Sequence, residues 1–316
     1  MLLGACHAKE GQSANEGSSA EEHGESPVQE QQERAATSIA STDSAWQRVG
    51  QALGKAGSMQ PGGVYKVSLP RSDLRVSVKG VPVKPALALG SWVAFKATGG
   101  NEAMAMGDLV LTEDEVAPVM LRLREGGVEQ TALHNHLMQE SPRVMYMHIE
   151  AKGEPVKIAG AVHSALASSK TPMMAGGGKE AAGNPGLDTA QIGQALGYHG
   201  KVNGGVYQVS VPRAETIHDQ GVEVPPSMGV ATALNFQPTG GGKAAISGDF
   251  VLIASEVNPV IQALRSNGIE VTALHSHMLM EEPKLYFMHF WANDDAVKLA
   301  HGLRAALDKM NVKKAA

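Results

Sequence analysis

Thr131-Ala132-Leu133-His134-Asn135-His136 recurs 141 residues later as Thr272-Ala273-Leu274-His275-Ser276-His277. Each copy is followed, twelve residues after its second histidine, by a third: His148 in Val144-Met145-Tyr146-Met147-His148, and His289 in Leu285-Tyr286-Phe287-Met288-His289. Six of the chain's twelve histidines lie in these segments. Other landmarks repeat at nearly the same offset. Gly62-Gly63-Val64-Tyr65 returns as Gly204-Gly205-Val206-Tyr207, Pro70-Arg71 as Pro212-Arg213, and Gly107-Asp108 as Gly248-Asp249. A repeat of this length is a domain rather than a solenoid unit. The chain of 316 residues has room for two such domains. The expected boundaries are 43–168 and 187–316, joined by a Gly/Pro-rich linker over 169–186 that holds Gly176-Gly177-Gly178 and Asn184-Pro185-Gly186.

Within each copy the hydrophobic period switches between the helical and the extended value. Trp46, Val49 and Leu53 fall at helical spacing after Asp43. Residues 62–69, 74–83, 92–96 and 107–111 read as strands, with Gly107-Asp108 opening the last of them. Thr112-Glu113-Asp114-Glu115 has the form of a capping box, and Val116, Val119, Met120 and Leu123 form one stripe after it. Pro118 and Pro259 sit awkwardly there, so the regular helix is expected to begin at the proline, with Asn258 as the second copy's N-cap. The histidine strand, a turn at Glu140-Ser141-Pro142, a return strand and a last helix complete the unit. The expected class is α+β: two tandem repeats, each an antiparallel-rich sheet with helices packed on one face.

The formal net charge of -5 is concentrated at the N-terminus, where seven glutamates between His7 and Thr42 face only Lys9 and Arg34. Residues 7–42 carry almost no large apolar side chains and are expected to be a disordered acidic tether. The remaining body is close to neutral, so it offers no basic footprint for nucleic acid. The single cysteine, Cys6, excludes an internal disulfide and a cysteine-based zinc site. Leu3-Gly4-Ala5-Cys6 resembles a lipobox, in which the cysteine becomes a lipidated N-terminus. The expectation is therefore attachment to a membrane through Cys6, in the bacterial cell envelope or periplasm, with the true start upstream of Met1; the alternative is a chance match in a disordered cytoplasmic N-terminus. No later segment has the roughly 18 uninterrupted apolar residues that a helical span needs.

Four stretches together, Gly-Asp-Leu-Val-Leu (107–111), Glu-Val-Asn-Pro-Val (256–260), Ala-Leu-His-Asn-His (132–136) and Phe-Met-His (287–289), resemble the LppY/LpqO family of bacterial lipoproteins. That family is a domain of unknown function. The resemblance covers each repeat from its Gly-Gly-Val-Tyr segment to its last helix; it implies an envelope location and no reaction. The copies depart from one another at Ala117 against Asn258 and at Asn135 against Ser276.

Alternate residues of a strand share a face, so His134 and His136 are expected to project together, about 7 Å apart. His148 joins them if the pairing sum of the two strands is even, as with His134 or His136 opposite His148; an odd sum puts it with Asn135. The even register is the expectation. Three imidazoles can then hold one ion and leave a coordination position open, as catalytic zinc sites do. The candidate metal ligands are His134, His136 and His148 in one repeat and His275, His277 and His289 in the other, one site per repeat. Zinc is the first choice, with copper or iron as alternatives. Partly buried histidines satisfied by backbone and carboxylates are the bland reading.

Glu140 and Glu281 stand four residues after the second histidine and are the candidate catalytic acid/base groups, against a solvated turn charge. His-x-His-x-x-x-Glu also looks like the first cupin motif, but the next histidine follows too soon. Arg71 and Arg213 are candidates for holding a carboxylate or phosphate of a ligand, against an exposed ion pair. Asp108 and Asp249 are weighed as histidine or ligand partners against turn residues. Met145, Met147 and Met288 alternate with the return-strand histidines and face away from them. The histidine face is expected to be covered by other strands or by the partner repeat, and helices to cover the opposite face. Three functional readings stand: a metal- or small-ligand-binding module, a metal-dependent hydrolase or oxidoreductase, and a structural envelope protein.

Overall fold

Each repeat builds one six-stranded sheet in which every neighbouring pair is antiparallel. The computed structural model describes residues 44–173 and 186–314. The tether, Cys6 and most of the linker lie outside the described residues. In the first repeat α1 (residues 44–53) precedes β1 (Ser58–Gln60) and β2 (Val64–Pro70). A short hairpin follows, β3 (Ser77–Val78) and β4 (Val81–Pro82), and then the one-turn helix α2 (Pro85–Ala88). The long strands β5 (Gly90–Gly99) and β6 (Glu102–Thr112) lead into α3 (Glu113–Glu125). β7 (Glu129–His134), β8 (Glu140–Ser141), β9 (Val144–Gly153) and α4 (Pro155–Leu166) finish the unit. The sheet order is β1-β2-β5-β6-β9-β7, so the return strand β9 lies between β6 and the histidine strand.

The second repeat has α5 (Thr189–Leu196), β10 (Lys201–Asn203), β11 (Val206–Pro212), β12 (Ile217–Asp219) and β13 (Val222–Val224). It continues with β14 (Ala231–Gly240), β15 (Lys243–Leu252), α6 (Ala254–Ser266), β16 (Glu270–His275), β17 (Glu281–Glu282), β18 (Tyr286–Asp295) and α7 (Ala296–Leu307). Its sheet order, β10-β11-β14-β15-β18-β16, repeats the first.

Alternation along the strands divides each sheet into two apolar faces. One face receives helices: Trp46, Val49 and Leu53 of α1, Val119 and Leu123 of α3, and Val162 of α4 pack with Val67, Phe95, Leu109 and Met147. The second repeat packs α5, α6 and α7 in the same way. The other face meets its counterpart. Val64, Ala94 and Met104 share a core with Val251, Met278 and Phe287, while Val110, Val144 and Tyr146 share one with Val206, Ala245 and Trp291. The described residues from 45 onward accordingly form one compact unit, with the histidine faces of both sheets in its interior. No described helix is long and apolar enough to cross a membrane.

Three local expectations are corrected. The stretch 74–83 is a tight hairpin rather than one strand. Lys79 and Gly80 both take positive φ, as Gln220 and Gly221 do in the second copy, which is what a two-residue turn matching the strand twist needs. Gly107 and Asp108 lie in mid-strand, because pairing with β5 begins at Glu102. Pro118 and Pro259 lie inside α3 and α6 rather than at their starts. The helices begin earlier because Glu115 reaches back to the backbone N–H of Thr112, and Glu256 to that of Ile253.

Candidate metal centre

A bulge decides which face the third histidine takes. Glu129 pairs with Glu150 and Gln130 with Ile149, but after Thr131 the register shifts, so that Ala132 pairs with His148 and His134 with Tyr146. One extra residue changes the pairing sum from odd to even, and His134 and His148 come to share the inner face. The sum is even, as expected, but His148 stands opposite Ala132 rather than opposite His134 or His136. The second copy has the same shift at Thr272, placing Ala273 opposite His289. Each strand ends at its first histidine, so His136 and His277 project from the bend that follows rather than from the strand.

Each bulge also has a second consequence. It turns the threonine towards the other repeat, where Thr131 Oγ1 donates to the carbonyl of His277 at 2.6 Å and Thr272 Oγ1 to that of His136 at 2.5 Å. This reciprocal clasp sets the two histidine segments against each other. The expectation of one separate site per repeat gives way to a single centre of six imidazoles. Ring centroids of His134 and His275 lie 3.5 Å apart, those of His136 and His289 3.7 Å, and those of His148 and His277 3.6 Å. Tyr146 stacks on His136 at 3.3 Å, and Phe287 on His277 at 3.5 Å. Two sets of ring nitrogens gather within 4.8 Å: His134, His136 and His148, and His134 with His275, His277 and His289.

All six Nε2 atoms are buried without a hydrogen-bond partner, and His134 lacks one at Nδ1 as well. An unmade hydrogen bond in the interior costs about 1–3 kcal/mol. Burial, followed by the neighbouring rings, lowers the proton affinity of His134, His136, His148 and His277 far below the ordinary histidine value. Burial also brings His275 to about 3 and His289 to about 4. The rings are therefore neutral at physiological pH, with lone pairs available. Asp108 lies 3.9 Å from His148 Nε2, and Asp249 3.8 Å from His289 Nδ1. Burial, reinforced by the charge of Asp249, holds the Asp108 carboxyl well above the usual carboxylate range; burial alone brings Asp249 to about 7. Lys66 reaches the same region, its Nζ bonded to the Ser227 carbonyl at 3.0 Å, and burial lowers it to about 8.

The other candidates are placed unequally. Arg71 and Arg213 do not reach the histidines. Arg71 directs all five N–H groups inward, to Asp73, Glu115 and the Val110 carbonyl, and Arg213 does the same with Glu215, Glu256 and the Val251 carbonyl. Neither keeps a donor for a ligand, so both are buried structural ion pairs, not cofactor-binding groups. Glu281 is also committed, to the Leu285 N–H and the Lys284 ammonium, both at 3.1 Å. Glu140 accepts only from the Val144 N–H at 3.2 Å, and its Oε2 is buried without a partner. Burial raises it to about 7.

A cleft lined by Trp92, Met106, His148, Met228, His277 and Met278 leads to one side of the cluster. Sequence reasoning missed the threonine clasp, Lys66 and this cleft. Local spacing carries no signal for any of them, because each is a meeting of the two repeats.

The model of the family described as Domain of Unknown Function (DUF1259) matches residues 47–168 and again 190–309. The chain belongs to that family. The two DUF1259 copies coincide with the two sheets and their helices, and the six-histidine centre is built from both. No curated protein matches the chain. Solved structures with detectable likeness include three at low identity. The trimeric bacterial microcompartment shell protein PduB is 11% identical, with 82% of this chain and 96% of that one covered at a TM-score of 0.21. EtuB from Clostridium kluyveri is 8% identical, covering 79% and 90% at 0.20. The ethanolamine utilization protein EutL from Leptotrichia buccalis C-1013-b is 8% identical, covering 80% and 95% at 0.18. At such TM-scores the likeness says nothing about this tandem DUF1259 protein's role.

Proposed function

We propose that this protein is a metal-binding module, and that the imidazoles between its two sheets hold a first-row transition ion. The observation that carries the reading is the set of six buried Nε2 atoms with no partner, gathered from both repeats. Neutral imidazole suits zinc first, and copper or iron as alternatives. The rings of the cluster lie within 7–34° of parallel, so loading turns them about their side-chain torsions until the lone pairs meet. The lowered proton affinities favour this, because an ion then displaces few protons. Of the finer family expectation, the LppY/LpqO resemblance and the Leu3-Gly4-Ala5-Cys6 context support reading the module as part of an envelope lipoprotein. The test is metal analysis of the purified full chain after dialysis against zinc. Zinc retained stoichiometrically, and reduced in His136→Ala and His277→Ala, supports the reading. A folded protein that retains neither zinc nor copper is the structural alternative and ends it.

One observation favours metal-dependent catalysis as a second reading. Glu140 alone of the two candidate carboxylates keeps a buried, unpartnered oxygen, and its raised proton affinity suits proton transfer near neutrality. Turnover that depends on added metal, and that Glu140→Gln abolishes without loss of bound metal, separates this reading from simple binding.

A further inference from the structure

His134 alone of the six cluster histidines has both ring nitrogens buried without a partner. A histidine that ligates a metal through one nitrogen almost always gives its other N–H to an acceptor, which fixes the ring and raises its basicity. His275 has such an arrangement: its Nδ1 faces the Ser276 carbonyl at 3.3 Å, leaving Nε2 for an ion. His289 has it too, with Nδ1 2.9 Å from the Gly248 carbonyl. His134 has no acceptor at either nitrogen, and both are buried. It is also the residue common to both ligand sets, standing with His136 and His148 on one side and with His275, His277 and His289 on the other. Its ring centroid lies 5.0 and 5.1 Å from those of His136 and His148, and 3.5, 5.8 and 5.6 Å from those of His275, His277 and His289. A carboxylate attends each set, Asp108 beside His148 and Asp249 beside His289.

The geometry points to a two-ion centre bridged by His134. This deepens the metal-binding reading and rests on it. One ion is held by His136, His148 and one nitrogen of His134; the other by His275, His277, His289 and the second nitrogen of His134. When the second ion binds, the His134 ring gives its remaining N–H proton to water and becomes an imidazolate with one lone pair on each nitrogen. No electron is transferred. The negative ring offsets part of the charge of two dications in a buried site, which neutral rings alone would not do. The internal pseudo-symmetry predicts no preference between His134 and His275. The structure distinguishes them: the Ser276 carbonyl faces His275 Nδ1, whereas neither nitrogen of His134 has a partner.

The probe is Cu(II) added to the full chain, with bound copper counted by elemental analysis and unpaired spins by electron paramagnetic resonance near liquid-helium temperature. The expected result is two coppers per chain with an integrated signal far below two spins, since an imidazolate couples the two ions antiferromagnetically. Protein loaded with one copper and one zinc should return a full single-spin signal. His134→Phe should hold one copper rather than two, in the second-repeat set, with its full spin. Two coppers with two full spins, or a single copper in the wild type, overturns the bridge while leaving metal binding intact. Binding of neither copper nor zinc overturns the metal reading itself, and the bridge with it.

Discussion

Glu150 of the first repeat and Asp219 of the second are carboxyls set beside each other in the protein interior, and neither Asp219 oxygen has a hydrogen-bond partner. At the positions related to these by the duplication stand Trp291 and Val78, which are buried in one apolar core. The two copies thus meet through a greasy contact on one side and an ionisable one on the other. Burial, then the neighbouring Asp219 carboxyl, raise Glu150 to about 8. Gln220 Nε2 donates to Glu150 Oε1 at 3.2 Å. A carboxyl whose folded value is raised contributes stability that is fully present below its unfolded value and is lost as pH rises through the folded one. The expected outcome is a fall of order 1 kcal/mol between pH 6 and 9, after allowing for solvent screening, and a smaller fall in Glu150→Gln. Urea unfolding at the two pH values measures it; equal slopes in wild type and variant would show that Glu150 is not the group responsible.

Acid should act on the centre in the opposite sense. Histidines with depressed folded values keep their stability contribution above the unfolded value of 6.5 and lose it as pH falls, through about 4 for His289 and about 3 for His275. All six rings take up protons on unfolding in that window, outnumbering the raised carboxyls Asp108, Glu140, Glu150 and Asp249, which lose them. Urea midpoints are therefore expected to decline from pH 6.5 towards pH 5. A midpoint that climbs over that range contradicts the buried neutral cluster.

Arg71 is the largest fully buried side chain among the described residues, and its five bonds tie the end of β2 to the start of α3 and to the Val110 carbonyl. Arg71→Met leaves Glu115 and Asp73 without their partner, which typically costs about 3–5 kcal/mol. Arg213→Met should cost as much through Glu256. Bound metal per folded chain should not change in either variant. A loss of metal without a loss of stability would restore the ligand-binding role that the saturated guanidinium argues against.

The threonine clasp offers a narrower test. Thr131→Val and Thr272→Val keep the shape and remove one hydroxyl donor each from the interface between the repeats. Each should cost about 1 kcal/mol in urea, and the double variant should weaken zinc binding, because both histidine bends lose their anchor. Unchanged zinc affinity in the double variant would mean that the bends are held by packing alone.

Much of this was legible in the linear order of residues. The 141-residue offset, the alternation along the strands and the helical stripes fixed two like α+β units, each with an apolar face for helices and a histidine-bearing face opposite. The i, i+2 spacing of His134 and His136, with His148 twelve residues further on, marked the cluster. These signals are local: they depend on periods of two and 3.6 residues, which a chain carries wherever it folds. The arrangement of the rings is not local. The bulge at Thr131 sets the parity that joins His148 to His134, and the packing of one sheet on the other turns two triads into one centre that shares His134. Packing likewise decided that Arg71 is consumed internally, and that Glu140 keeps an unpartnered oxygen while Glu281 does not. Contacts between residues more than a hundred positions apart leave no periodic trace in either partner, so only the folded chain could bring them to light.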